Sequence, residues 1–141
     1  MLDKLINACK QKRSVLGTIS SVLANYQNFD GRASRSEFWY FTIFAISAGF
    51  VAQGFDRMIG TEMQTPEGDV YGGFLTFLLL ISLLIPSVAV ATRRLHDLNR
   101  SGWRQLIVLI PVAGWMLLAV WYSSRGTIGP NRYGDEPTHF V

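Results

Sequence analysis

One polar stretch holds most of the chemically versatile side chains of this sequence: Arg93-Arg94-Leu95-His96-Asp97-Leu98-Asn99-Arg100-Ser101-Gly102-Trp103-Arg104. An imidazole, a carboxylate and a hydroxyl within six positions have the composition of a hydrolytic site. Their spacing argues against one. Neighbours in sequence rarely aim at a single point, and Ser101 lacks the strand–turn–helix setting of a nucleophile elbow. Ser101 serves equally as a helix cap. No catalytic residue is therefore assigned. Metal binding fares worse, because the chain has two histidines, His96 and His139, and a single cysteine, Cys9. No set of three or four ligands forms from these. There is no Walker loop and no dinucleotide fingerprint, so the expected cofactor is none.

What the stretch does supply is positive charge. Arg93, Arg94, Arg100 and Arg104, joined by Arg32 and Arg35, make a basic collar, with His96 and Asp97 inside it. These eight residues are the candidate lipid- or partner-binding site. A cluster of this kind attracts anionic headgroups by roughly 1 kcal/mol per basic residue near a membrane surface. Two blander readings stay open: the arginines only set topology, or Arg94 or Arg35 pairs with Glu37 or Asp97 to lock helix ends together. A net charge of +3 is too mild to imply nucleic acid.

The elements that must position this collar are apolar. Charged residues make up 16% of the 141, well below the ~25% of soluble domains. Three runs carry no charge: Phe38 to Phe55, Gly72 to Thr92, and Leu106 to Tyr122, the last extending back to about residue 104. Each is near the ~20 residues that cross a bilayer core, and none keeps the polar stripe of a soluble core helix. The expected fold class is an all-α membrane protein with three transmembrane helices plus an N-terminal amphipathic segment. Residues 1–30 form that cytoplasmic segment, 31–125 the three-span domain (spans about 38–55, 72–92 and 104–122), and 126–141 a turn-rich tail.

Arginine and lysine placement gives the direction. Ten basic residues precede the first span or lie between the second and third, against Arg57, Arg125 and Arg132 elsewhere. The N-terminus is expected in the cytoplasm and the C-terminus outside, which puts His96 and His139 on opposite faces. The stretch Val15 to Ala24 is broken by Thr18, Ser20 and Ser21 and makes a poor signal-peptide core. No span holds an ionisable residue, the usual marker of a proton or ion path.

Local signals refine the elements. Ser34-Arg35-Ser36-Glu37 fits a capping box, with Ser34 accepting from the Glu37 amide and Glu37 answering the Ser34 amide, so the first span starts at Arg35. Trp39, Tyr40, Trp103, Trp121 and Tyr122 suit the membrane interfaces. Pro86 and Pro111 each remove a hydrogen bond inside a span. Ala45 and Gly49 form a small-xxx-small pair that invites a second helix, from this chain or another copy.

Several of these blocks have a familiar order. Asn28-Phe29-Asp30-Gly31-Arg32-Ala33-Ser34-Arg35-Ser36-Glu37-Phe38-Trp39-Tyr40 resembles the approach segment of a bacterial inner-membrane family, domain of unknown function 805. The likeness continues through Pro86, Arg93 to Asp97, Arg100-Ser101-Gly102-Trp103, Ile110-Pro111 and the tail Gly129-Pro130-Asn131-Arg132-Tyr133-Gly134. It spans about residues 22 to 137. The resemblance implies a bacterial cytoplasmic membrane and supplies no activity. The expected function is a non-enzymatic membrane component whose basic cytoplasmic face binds anionic lipid or a protein partner. The rivals are a headgroup-level enzyme acting through His96 and Asp97, and an oligomeric channel or transporter subunit.

Overall fold

The computed structural model describes residues 15–64, 66, 68 and 70–137. Cys9, His139 and residues 1–14 of the N-terminal amphipathic segment lie outside them. Helix α1 (Val15–Ala24) keeps part of that segment: Thr18 and Val22 are buried, and Val22 joins the apolar core with Ala33, Phe38, Phe41 and Val90. Helix α1 thus packs on the bundle, while its Leu16 faces out.

Helix α2 (Arg35–Ile59) begins where the cap predicts, with Ser34 Oγ accepting from the Glu37 amide at 3.2 Å. The reciprocal half of the box is not made. Glu37 Oε1 accepts instead from Arg93 at 2.9 Å, because a partly buried carboxylate gains more from a guanidinium than from one amide. Helix α3 (Phe74–Asp97) returns antiparallel, with Pro86 buried within it. At 25 and 24 residues, α2 and α3 are each long enough to cross a bilayer. Only 11% and 22% of their apolar windows are buried within the chain, so the medium around them must itself be apolar.

The turn joining them holds a small antiparallel hairpin, β1 (Glu62–Gln64) with β2 (Val70–Gly73). Asp56 governs this end. It is fully buried and accepts four hydrogen bonds: from Thr61 Oγ1, the Leu75 amide, and the amide and hydroxyl of Thr76. The Phe74 amide bonds to Thr61 O. Three of the four open amides at the start of α3 are thereby satisfied by the end of α2, with the carboxylate on the positive end of the helix dipole.

The third expected span is not one helix. Residues Gly102–Leu109 form a 3-10 segment, Ile110 to Val112 a reversal, and Ala113–Ser123 helix α4. Val112 has φ 62° and ψ −68°, and the Ala113 amide bonds to Pro111 O at 2.7 Å, a three-residue γ-turn. Pro111 has no amide to continue the helix, and Ile107 O is taken by the Ile110 amide instead. Gly114 then lets the limbs close, since a Cβ there would overlap the Ile107 carbonyl. Trp115 Nε1 donates to Val108 O at 3.0 Å across the hairpin. The limbs are each about 16 Å long, half of a ~30 Å bilayer core, and the apolar tip residues Leu109, Ile110 and Val112 are exposed.

A hairpin that returns brings its tail back with it. Both limbs are tied to the last turn of α3: Gln105 Nε2 donates to Thr92 Oγ1 at 2.6 Å, and Arg94 Nε donates to Tyr122 O at 3.0 Å. The tail therefore sits at the same end of the bundle as Arg32, whereas the sequence reading put the segment before α2 and the tail after α4 on opposite faces. The small pair Ala45 and Gly49 lines an open groove of about 420 Å³ between α2 and α3, with Ala45 packed against the apolar core and nothing within 4 Å of a Cβ built on Gly49.

Replacing Asp56 by Ala is expected to lower the denaturant midpoint of the reconstituted protein clearly, because it strips the cap from α3. An unchanged midpoint would show that lipid headgroups or water satisfy those amides as well.

Candidate functional site

Helical spacing places Arg93, Arg94 and Asp97 on adjoining faces of the last turn of α3, where three and four residues apart are neighbours. Asp97 is fully buried and its two oxygens are divided between two guanidiniums. Oδ1 accepts from Arg32 Nε at 3.0 Å and Nη2 at 2.8 Å, and Oδ2 accepts from Arg94 Nη1. The side chains of all three are at most 1% exposed. A charge buried like this needs its remaining donors answered as well.

The tail answers them. Arg32 donates to Gly129 O and Thr127 O, each at 2.6 Å, and Arg94 to Tyr122 O and Ser124 O. In return the Thr127 amide and hydroxyl donate to the Asp97 backbone carbonyl at 2.9 and 3.0 Å. The backbone passes so close that Gly126 has no room for a side chain, since a Cβ there would lie within the Asp97 carboxylate. Asn131 Nδ2 pins the far part of the tail to His96 O at 3.0 Å, and Gly134 O lies 3.4 Å from Arg32 Nη1.

Arg93 turns the other way. Its Nη1 donates to Glu37 at 2.9 Å, its carbonyl accepts the Ala33 amide, and its Nε and Nη2 are buried without a hydrogen-bond partner. His96 is separate again: Nδ1 lies 3.2 Å from Gly31 O, and the ring stacks on Tyr133 at 3.8 Å and 4°. Asp97 faces the arginines and His96 faces Gly31, so the two do not form an acid–base dyad. Ser101 makes no side-chain cap, which corrects that expectation; its carbonyl accepts the Arg104 amide.

The collar thus separates into two populations. Arg32, Arg93 and Arg94 are buried; Arg32 and Arg94 are engaged with Asp97 and the tail carbonyls, whereas Arg93 gives only Nη1, to Glu37. Arg35 and Arg104 are exposed, and Arg100 is half-buried. The Arg100 and Arg104 guanidiniums lie 4.2 and 5.8 Å from the centre of the Trp121 ring. Two further exposed arginines, Arg125 and Arg132, join this end because the tail returns to it. Sequence reasoning had placed both on the far side. Nor did it find the carbonyls of Tyr122, Ser124, Thr127 and Gly129 as arginine acceptors. The only signal was the density of turn residues in the tail.

Beside the cluster lies a half-open cleft of about 650 Å³. Its walls include His96, Thr92, Gln105 and Tyr133, with Gly102 and the strongly exposed Trp103 at one edge.

Replacing Asp97 by Ala leaves two buried guanidiniums facing each other and is expected to cost about 3–5 kcal/mol. The tail should then come loose, and trypsin should cut after Arg125 and Arg132 far faster than in the parent. Equal cleavage rates would show the tail held by its other contacts.

Comparison with known proteins follows the same span of chain. Residues 26–135 match the family model described as "Protein of unknown function (DUF805)". The inner membrane protein YhaI of Escherichia coli K12 is 38% identical over 117 residues, covering 83% of this chain and 92% of the relative. The inner membrane protein YhaH of the same strain is 41% identical over 116 residues, covering 82% and 92%. No solved structure matches the chain.

Proposed function

This chain belongs to the DUF805 family, and from that premise we propose that it is a non-enzymatic component of the bacterial inner membrane whose basic cytoplasmic end binds anionic lipid headgroups. The observation that carries the reading is the charge segregation of the folded chain. Of nine described arginines, eight lie at one end (Arg32, Arg35, Arg93, Arg94, Arg100, Arg104, Arg125 and Arg132) and only Arg57 at the other. Arginine-rich ends stay on the cytoplasmic side during insertion.

The working topology is two spanning helices, α2 and α3, with the 3-10 segment and α4 as a re-entrant hairpin. Both the segment before α2 and the tail after α4 then face the cytoplasm. Exposed Trp39 and Tyr40 at the start of α2, and Trp121 beneath Arg100, sit at the matching interface. The lipid-facing charge is Arg35, Arg100, Arg104, Arg125 and Arg132. Arg32, Arg93 and Arg94 hold the platform together. An enzymatic role through His96 and Asp97 is disfavoured because Asp97 is fully buried against Arg32 and Arg94 while His96 faces Gly31 O, so the two side chains do not converge on one point.

A fluorescent protein fused after residue 141 should light up in the cytoplasm, and an alkaline phosphatase fused there should stay inactive. An active phosphatase would sink the shared-end topology. Replacing Arg100, Arg104 and Arg125 together by Gln should lower the enrichment of anionic lipid around the purified protein roughly threefold to tenfold at low salt. Unchanged enrichment would reduce these arginines to topology signals.

A further inference from the structure

The cleft beside the tail has chemistry that the exposed arginines do not explain. His96 is more than nine-tenths buried yet lines the cleft. Gly31 O can only accept, so the hydrogen bond to Nδ1 places the proton there, and the neutral ring turns an acceptor, Nε2, without a partner among the described residues. Gln105 repeats the pattern. Its Nε2 is spent on Thr92 Oγ1 and Gly102 O, while Thr92 Oγ1 donates to Val88 O. The walls therefore offer two acceptors, His96 Nε2 and Gln105 Oε1, beside the hydroxyls of Ser101 and Tyr133 and the indole N–H of Trp103, so the matching ligand carries hydrogen-bond donors as well as acceptors.

Depth supplies the second half. Along α3 the wall runs from His96 through Thr92 to Val88, about 12 Å at helical rise. Polar groups stand at the cytoplasmic rim, and Val88, Leu106 and Val108 lie below. These three are also half exposed outward, so the lower cleft opens to the bilayer rather than to water. A cation stands at the rim: the Arg132 guanidinium lies 4.7 Å from the Tyr133 ring, on which His96 stacks, and spends one donor on Asn99 O. A positive rim, acceptors beneath it and an apolar slot open to lipid complement one amphiphile in that order.

We propose that this cleft holds a single glycerophospholipid bearing an anionic phosphate and a hydroxyl-bearing headgroup. Its hydroxyl donates to His96 Nε2, its phosphate faces Arg132, and one acyl chain lies along Val88, Leu106 and Val108. This site rests on the cytoplasmic, anionic-lipid reading above but differs from it. The exposed arginines gather a loose annulus of lipid, whereas the cleft selects one molecule by its donors.

The test is native mass spectrometry of the full chain released from nanodiscs of phosphatidylcholine containing a minority of phosphatidylglycerol. The quaternary ammonium headgroup offers no N–H or O–H donor. The parent should retain one phosphatidylglycerol per chain. His96→Phe keeps a ring to stack on Tyr133 but loses Nε2, and retention should fall about fivefold, the value of one hydrogen bond. Val88→Trp fills the apolar slot from outside the polar network and should also displace the lipid, so the prediction survives a folding defect in the His96 variant. Arg100→Gln with Arg104→Gln should thin the loosely bound lipid and leave the single retained molecule. Phosphatidylglycerol held equally by the parent, His96→Phe and Val88→Trp, but lost in the arginine variant, would overturn the cleft and leave the surface reading intact. Equal retention of both lipids by the parent would overturn the donor selectivity, and the absence of any enrichment would overturn both readings.

Discussion

Asp97 is a carboxylate cut off from water, and two guanidiniums meet on it. In a bilayer setting such a cluster is unforgiving. The desolvation of each ion amounts to several kcal/mol, and only complete pairing and hydrogen bonding compensates for it. Arg32 and Arg94 together bring more donors than one carboxylate accepts, so the surplus must go to carbonyls. Those carbonyls come from Tyr122, Ser124, Thr127 and Gly129. The chain after α4 is thus drawn over the end of α3 to complete the coordination, and three distant segments become one platform.

The opposite end of the hairpin repeats the device with other partners. Asp56 is as buried as Asp97, but it faces the open amides of α3 and two hydroxyls rather than arginines. A carboxylate at each end of the α2–α3 pair fixes the register of two helices whose middle sections offer mainly apolar contact. Lipid tails compete on equal terms with such contact, so apolar packing alone gives little specificity in a membrane. Polar anchors at the ends supply what the spans lack.

The same arithmetic decides which arginines are available for function. Those nearest the bundle axis are consumed by the fold, and those displaced outward keep donors for a ligand. The hairpin of the 3-10 segment and α4 adds to the second group by returning Arg125 and Arg132 to the basic end. It also builds the cleft wall, because the 3-10 limb stands off from α3 and is joined to it through Gln105 and Thr92.

The sequence by itself determined what depends on local chemistry. Uninterrupted apolar runs required α2 and α3, Ser34 set the start of α2, and the family blocks marked the residues that converge at the basic end. It also kept open the pairing of Arg94 or Arg35 with Glu37 or Asp97; the fold makes Arg94 with Asp97, but gives Glu37 to Arg93 instead. Hydropathy marks the third apolar run without revealing that it folds as two limbs, because it measures solvent preference and not direction. A run that crosses and a run that turns back at Pro111 have the same composition. Direction was decided by the close approach at Gly114 and by the demand of Arg32 and Arg94 for carbonyl acceptors. Those acceptors are backbone atoms that every residue possesses, so no side-chain pattern could reveal them. Only the tertiary structure decided where the tail lies, and hence which arginines are buried and which stay exposed.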